Sequence, residues 1–354
     1  MISRNGDLIS SLRDESDAPV PVWASAFPRH ESGVAVPARE PVSAAEFTPE
    51  GMLRGQRRGS VRGWRRVLFV LSRGYFLPGP SAAELREREL IARLKTPIRG
   101  CRKVAFVSRK GGVGKTSTCL LTGHTFAAYR GDRVIALDGN PDAGTLGHRI
   151  RRETAATVST LLADCERIDR YADIRAYTSQ APTRLEVVAA DDDPRITQAL
   201  GEDEFRTAID LLEHHYNLIC LDTGTGVLES ATRGILREAD QIVVVVAPSL
   251  DGARAASSTL DWLEQNGHEQ LVRSSVAVIN AVRPGGGLVE LDRVEAHFAQ
   301  RCRLTVRVPW DPHLEAGAET IVRELRPETR AAYLELAAAV ASGFADSSTQ
   351  RRHS

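Results

Sequence analysis

Residues 104–129 read VAFVSRKGGVGKTSTCLLTGHTFAAY. The first five, Val104 to Ser108, form an apolar run that is typical of a strand covered on both faces. A short loop with three glycines follows, and from Thr116 to about Tyr129 the pattern predicts a helix. A strand, a tight glycine loop and a helix in direct succession predict the beginning of a strand–helix–strand fold.

The loop from Lys110 to Thr116 has the residues of a phosphate-binding loop. Its glycines let the backbone curl so that successive N–H groups point inward, and the helix behind it adds its positive N-terminal end. Lys115 would bridge the β- and γ-phosphate oxygens, and the Thr116 hydroxyl would ligate Mg²⁺. Arg109 stands where the general phosphate-loop pattern has its first glycine, so the loop is a variant of that pattern. We therefore expect ATP and Mg²⁺ as cofactors, with these loop residues in contact with the nucleotide: Lys110, Gly111, Gly112, Val113, Gly114, Lys115, Thr116 and Ser117.

The rest of the chain repeats the alternation of strands and helices. Six further runs read as strands: 134–138, 185–189, 218–222, 242–247, 276–280 and 304–308. Several are apolar almost throughout, as strands with helices on both faces should be. The alternation predicts an α/β fold with a doubly wound, mostly parallel sheet, and we assign residues 101–345 to this domain.

Bulk composition excludes several classes of protein. The 354 residues carry 46 basic and 46 acidic side chains, so net charge gives no argument for nucleic acid or a membrane surface. The five cysteines are dispersed, which is typical neither of a disulfide framework nor of a zinc or iron–sulfur site. The N-terminus does not resemble a signal peptide, and no apolar run near it approaches the ~20 residues that span a bilayer. We expect a cytoplasmic protein, peripheral at most to the inner face of the cell membrane.

The two ends differ from the central domain. Residues 1–60 are rich in proline and polar residues and predict a disordered tail, and residues 346–354 predict a polar tail. Residues 61–100 form a basic, aromatic adaptor segment. The stretch 51–83 holds seven arginines and no acidic residue, which leaves three interpretations open: packing on its own domain, docking on a membrane or partner protein, and contact with nucleic acid. Ser81 followed by Glu84 is a capping box, which predicts a helix to about Leu94.

The loop KGGVGKT resembles that of the ParA/MinD family of deviant-Walker P-loop ATPases. In that family the lysine corresponding to Lys110 reaches across a dimer interface to the phosphates of the opposite subunit. The resemblance therefore implies an ATP-dependent homodimer in which Lys110 acts as a catalytic residue.

Two strand ends resemble the acidic motifs of the same family. Asp138 stands at the first carboxylate of the D-x-D-P motif, which implies a catalytic position near the attacking water. The second carboxylate is replaced by Asn140, which puts the hydrolysis rate in doubt because an amide cannot accept a proton; Asp142 is a candidate substitute. Asp222 stands at the Walker B carboxylate, which implies that it holds the metal together with Thr116. Residues 222–226, DTGTG, resemble the loop that senses the γ-phosphate.

Two later positions resemble the family's adenine pocket. Asn280 matches the asparagine that reads the edge of the base, although a cap at a strand end is the alternative interpretation. Pro309 and Asp311 match the V-P-x-D loop over the purine.

A narrower resemblance extends upstream of the domain. Residues 63–66 (GWRR), 78–81 (PGPS) and 93–99 (RLKTPIR) resemble EspI-like proteins, MinD-type ATPases that accompany type VII (ESX) secretion systems. This implies a secretion-system or membrane-associated protein partner, and a slowly hydrolysing, dimerising switch ATPase. Two alternatives stay open: a ParA-like DNA segregation ATPase that binds DNA when ATP is bound, and a non-hydrolysing ATP-binding scaffold or sensor.

Overall fold

The computed structural model describes residues 80–344, apart from 141–143, 194–195, 197–199, 227–228 and 284–288. The predictions for the tail 1–60, for most of the basic stretch 51–83, for Asp142 and for the polar tail 346–354 lie outside the described residues.

Strands and helices alternate along the described chain. The strands are β1 (Arg102–Val107), β2 (Val134–Gly139), β3 (Ser179–Gln180), β4 (Glu186–Val188), β5 (Leu218–Thr223), β6 (Gln241–Val246), β7 (Val276–Val282) and β8 (Leu304–Pro309). The α-helices are α1 (Ala82–Leu94), α2 (Lys115–Tyr129), α3 (Val158–Ala163), α4 (Tyr171–Ile174), α5 (Glu202–Glu213), α6 (Ser230–Glu238), α7 (Leu250–Gln265), α8 (Glu269–Ser274), α9 (Leu291–Ala299), α10 (Pro312–Glu315) and α11 (Pro327–Ser342). Short 3₁₀ turns lie at Gly147–Arg149, Cys165–Arg167, Arg175–Tyr177 and Val322–Glu324.

The described strands form one eight-stranded sheet in the order β3-β4-β2-β5-β1-β6-β7-β8. Every pairing is parallel except that of β3 with β4, which is antiparallel. The α/β fold with a mostly parallel sheet is therefore confirmed. Because parallel strands end at the same edge, the carboxyl ends of β1, β2 and β5 meet there, and Asp138 on β2 lies in register with Asp222 on β5.

Helices cover both faces of the sheet, and neighbouring residues of each strand belong to opposite cores. On β1, Val104 and Phe106 pack into the core under α2 and α11, whereas Ala105 and Val107 pack into the core under α5, α6 and α7. This alternation follows from the two-residue period of a strand. With both faces buried, β1 is a rigid support for the glycine loop that follows it.

Helix α1 begins at its predicted cap and packs on the domain. The Ser81 hydroxyl accepts a hydrogen bond from the Glu84 N–H at 3.2 Å, and the Glu84 carboxylate accepts one from the Ser81 N–H at 2.8 Å. At its other end Leu94 is fully buried, and the Arg130 guanidinium donates to the carbonyls of Leu94 and Thr96. The predicted helix is thus confirmed, and it contributes to the core shared with α11.

All five cysteines are free, so no disulfide joins them. Within the described residues, no helix combines the length and the apolar character that a bilayer crossing requires.

Candidate nucleotide-binding site

The glycine loop has a backbone that requires glycine at two positions. Gly112 and Gly114 have φ angles of 72° and 85°, in the left-handed region that L-residues with a Cβ avoid. A Cβ on Gly114 would also lie 2.2 Å from Nδ2 of Asn280. The loop therefore leaves β1 and enters α2 in a turn that only this pattern of glycines allows.

Lys115 points inward from the loop and forms a buried ion pair. Its Nζ lies 2.8 Å from Oδ1 of Asp222 and also donates to the carbonyl of Thr223. Lys115 is 7% exposed and Asp222 is fully buried. Because both charges have left water, each depends on the other for compensation. The second carboxylate oxygen of Asp222, Oδ2, is buried without a hydrogen-bond partner among the described residues.

Asp138 lies beside this pair at the end of β2 and is almost completely buried. Its carboxylate accepts hydrogen bonds from the backbone N–H groups of Leu146, at 3.0 Å, and Asn140, at 3.3 Å. Burial, together with the Asp222 carboxylate, raises the pKa of Asp138, and the two amides and Lys115 offset part of that rise. The two strand-end carboxylates and one ammonium group thus form a compact charged centre under the loop.

The other loop residues differ in exposure. Ser117 is buried at the beginning of α2, Thr116 is half-buried, and Gly111 is exposed. Lys110 is half-buried; its backbone exchanges hydrogen bonds with the Ser108 hydroxyl, and its ammonium group makes no ion pair with a described residue.

A cavity of about 340 Å³ opens beside the loop. The residues that line it are Gly112, Val113, Gly114, Ser117, Arg149, Asn280, Ala281, Arg283, Pro309, Trp310, Asp311, Leu314, Glu315 and Gly317. The structure thus brings all three residues of the expected base pocket, Asn280, Pro309 and Asp311, to the same cavity as the glycine loop.

Asn280 reaches the loop because β7 is irregular there. The pairing of β7 with β8 shifts register between Ile279 and Val282, and Ala281 has a φ angle of 57°. Such a bulge turns a side chain away from the direction that the strand would give it. In this arrangement the Asn280 amide donates to the Val113 carbonyl at 2.8 Å, so its Nδ2 contacts the loop backbone.

Asp311 is buried and its carboxylate is already engaged by backbone groups. It accepts hydrogen bonds from the N–H groups of His313, at 3.0 Å, and Arg326, at 2.9 Å, and so caps α10. Burial alone would raise the pKa of Asp311, but these hydrogen bonds hold it below its usual value. In this arrangement the carboxylate shapes the wall of the cavity.

Two residues in the cavity wall were not identified from the sequence. The Arg149 guanidinium has Nε and Nη1 buried without a partner among the described residues, and the same holds for Nε1 of Trp310. The guanidinium carbons of Arg283 and Arg326 lie over the Trp310 ring, 4.8 and 5.3 Å from its centroid. In the sequence, only its place inside the Val308–Asp311 loop pointed to Trp310, and no sequence pattern pointed to Arg149.

The residues at the strand ends fit a Mg²⁺ ion held together with a nucleotide. Oδ2 of Asp222 is a buried oxygen that lacks a donor, and oxygen is the ligand type that Mg²⁺ prefers. Within the described part of the chain, no cluster of three or more histidine, cysteine or acidic side chains is placed to hold a metal alone. Mg²⁺ bound together with a nucleotide usually takes one or two protein oxygens plus phosphate oxygens, and the protein oxygens that the sequence predicts for it are those of Thr116 and Asp222.

A strand, a glycine loop and a helix, with the loop lysine buried on a strand-end aspartate, define a P-loop protein of the doubly wound class. Comparisons with known proteins agree. Residues 101–272 match the family described as an AAA domain. EspI, an ESX-1 secretion-associated protein from Mycobacterium tuberculosis, is 38% identical over 287 residues, which cover 80% of this chain and 43% of EspI.

Solved structures agree on the fold. A ParA family ATPase from Chlorobium tepidum aligns with a TM-score of 0.57 at 16% identity, covering 67% of this chain and 98% of that one. The septum site-determining protein MinD from Pyrococcus horikoshii, complexed with Mg-ADP, aligns with a TM-score of 0.52 at 17% identity, covering 67% and 94%. The chain belongs with the ParA/MinD-like P-loop proteins and is related to EspI, and it spans less than half the length of that relative.

Proposed function

We propose that the chain binds ATP with Mg²⁺ at the loop 110–116 and that bound ATP closes a homodimer. The output of such a switch is the surface of the dimer, which a partner protein recognises, rather than a chemical product. The observation that carries this proposal is that two lysines of one loop have different environments.

The inner lysine serves its own subunit. Lys115 is buried on Asp222 and lies where phosphate oxygens would replace part of that contact. The outer lysine, Lys110, stands five positions earlier on a half-buried part of the loop and makes no ion pair with a described residue. An ammonium group that its own chain leaves uncompensated in the described region is suited to an anion brought by a second copy, which supports a role across a dimer interface.

The hydrolysis that would reset the switch should be slow. The Asp138 carboxylate accepts hydrogen bonds from two backbone N–H groups, and in the proposed cycle it would position a water molecule beside the phosphates. Asn140, where the family has its second carboxylate, cannot accept a proton. Asn140 also favours a second candidate function, a scaffold that binds ATP without hydrolysing it. Phosphate release measured with and without partner proteins separates the two, because only the switch gives turnover above background.

The proposed partner is a component of a type VII secretion system or a protein associated with it on the cytoplasmic side of the membrane. This proposal is supported by the relation to EspI, which covers 80% of this chain. The arginine-rich stretch 51–83 is proposed as a peripheral contact with anionic lipid or with the partner. Sedimentation of the full chain with anionic vesicles tests the lipid contact, and pelleting no greater than with neutral vesicles would exclude it.

Solution mass tests the dimer directly. Light scattering with Mg·ADP and with Mg·ATP should give a monomer and a dimer for the wild type, and a monomer in both cases for Lys110→Ala, which should still bind ATP. Lys95→Ala, which removes an exposed lysine outside the loop, is the matched control and should dimerise like the wild type. The proposed switch would be contradicted if the wild type had the same mass with Mg·ADP and with Mg·ATP, or if Lys110→Ala still formed a dimer with ATP.

A further inference from the structure

The guanidinium group of Arg149 lies in the wall of the cavity, and two of its nitrogen atoms have no hydrogen-bond acceptor among the described residues. It lies in the 3₁₀ turn Gly147–Arg149 and lines the cavity together with Gly112 and Ser117 of the glycine loop and its helix. Nε and Nη1 of its guanidinium are buried and have no hydrogen-bond partner among the described residues. A buried guanidinium without an acceptor is unfavourable, and burial correspondingly lowers the pKa of Arg149.

The acidic residues around this cavity are occupied by other groups. The Asp311 carboxylate accepts from two backbone N–H groups, and Glu315 pairs with Arg283 at 2.7 Å. Asp222, under the loop, pairs with Lys115. Asp222 raises the pKa of Arg149 through its charge, but among the described residues Nε and Nη1 have no direct acceptor, and a ligand in the cavity would supply one.

We propose that Arg149, which lines the same cavity as Gly112 and Ser117, binds the phosphate chain of the nucleotide. The inference rests on the proposed nucleotide site and adds to it a contact outside the glycine loop. A guanidinium offers parallel N–H donors that match two phosphate oxygens, so the contact supplies both charge and orientation.

The position of Arg149 would also couple the phosphates to the catalytic carboxylate. The residue before its turn, Leu146, donates its backbone N–H to Oδ2 of Asp138 at 3.0 Å. On the far side, the Arg149 carbonyl accepts from the N–H of Thr320 at 2.8 Å. A phosphate group that holds the guanidinium would fix this turn, and the turn holds the carboxylate.

Competition binding tests whether Arg149 contacts the phosphates, because pyrophosphate and adenosine each represent one part of the nucleotide. Full-length wild type, Arg149→Gln and Arg151→Gln are loaded with a fluorescent ADP derivative, which is displaced by ADP, pyrophosphate or adenosine. Arg151 is exposed and does not line the cavity, so its variant controls for the loss of one positive charge. We expect Arg149→Gln to bind ADP and pyrophosphate about ten- to a hundredfold more weakly, with adenosine unchanged and Arg151→Gln equal to the wild type.

The outcomes separate this inference from the proposed function. A wild type that does not bind ADP would refute the nucleotide site itself. A wild type that binds ADP together with an Arg149→Gln variant of equal pyrophosphate affinity would refute only the role of Arg149. An equal loss for adenosine and pyrophosphate would also refute it, because that pattern reports a damaged cavity. If the glutamine variant does not fold, Arg149→Met, whose apolar side chain tolerates burial, takes its place in the same comparison.

Discussion

Replacing Lys115 with methionine should cost the nucleotide-free protein about 3–5 kcal/mol of its free energy of unfolding. The substitution keeps an unbranched, apolar side chain in the same space but removes the cation that lies 2.8 Å from Asp222. Asp222 is fully buried, so water cannot take over from the lost ammonium group. The Thr223 carbonyl loses a donor at the same time.

The size of the effect comes from the burial of the pair rather than from its short distance. An exposed ion pair in this protein, Arg86 with Glu335 at 3.1 Å, also joins a cation to a carboxylate but is solvated. Its loss in Arg86→Met should cost less than about 1 kcal/mol. For a domain of this size, 1 kcal/mol corresponds to roughly 2–4 °C in melting temperature, so Lys115→Met should melt about 6–20 °C lower.

The stability lost in Lys115→Met should also depend on pH, because Asp138 lies next to Asp222. Burial and Asp222 already raise the pKa of Asp138, and Lys115 opposes them. Without Lys115 the native state would hold a proton at still higher pH than the unfolded chain does. A carboxyl group with a raised native pKa contributes stability at low pH that is lost as pH rises, so the cost of Lys115→Met should be smaller at pH 5 than at pH 8.

Urea unfolding at these two pH values measures both effects. Adding Asp222→Asn to Lys115→Met should recover most of the lost stability, since the uncompensated charge is then gone. A Lys115→Met protein within about 1 kcal/mol of the wild type at both pH values, with no recovery in the double variant, would show that the pair does not control stability.

Two further substitutions test helix α2 and the glycine loop that precedes it. Burial lowers the pKa of His124 on α2 to about 4, so the native state binds fewer protons than the unfolded chain between that value and 6.5. Stability should therefore fall by about 3 kcal/mol from pH 7 to pH 4 on account of this residue. Urea unfolding measures this. His124→Gln should reduce the fall in the free energy of unfolding between pH 7 and pH 4, and His214→Gln, at an exposed histidine, should not. If both variants show the same pH dependence of stability, His124 is not the cause of the fall. Gly114→Ala should weaken ADP binding and lower the melting temperature, because Gly114 has a positive φ angle and Asn280 lies close to it. Gly111→Ala is the control: the space around Gly111 is open, so the melting temperature should not change. Equal melting temperatures for the two alanine variants would refute the steric argument.

Much of the fold follows from local sequence patterns. Strands such as β5 and β6 are buried on both faces, so their apolar runs stand out against the helices between them. Helix α1 is marked by its capping box, and α2 begins one residue before the predicted Thr116. The antiparallel edge strand β3 was not predicted, because two residues, Ser179 and Gln180, carry no periodicity.

The candidate site was predictable only where its chemistry lies in a short motif. Lys115 belongs to the loop that follows β1, and Asp222 lies near the end of β5. The parallel pairing of β1 with β5 brings these two residues together. Arg149 begins the sequence RIRR and looks like a surface arginine. Its burial depends on segments far along the chain, including Gly317 and Thr320, and no local pattern reports such a contact.

The different burial of the loop lysines has a practical consequence for chemical labelling. Arginine supplies nearly all of the 46 basic side chains, and the lysines are Lys95, Lys103, Lys110 and Lys115. Lys103 and Lys115 are buried in ion pairs, so of the four lysines amine-reactive reagents reach chiefly Lys95 and Lys110. A lysine-directed cross-linker or fluorophore therefore marks the glycine loop of the native protein, with a second label at the end of α1 as an internal reference.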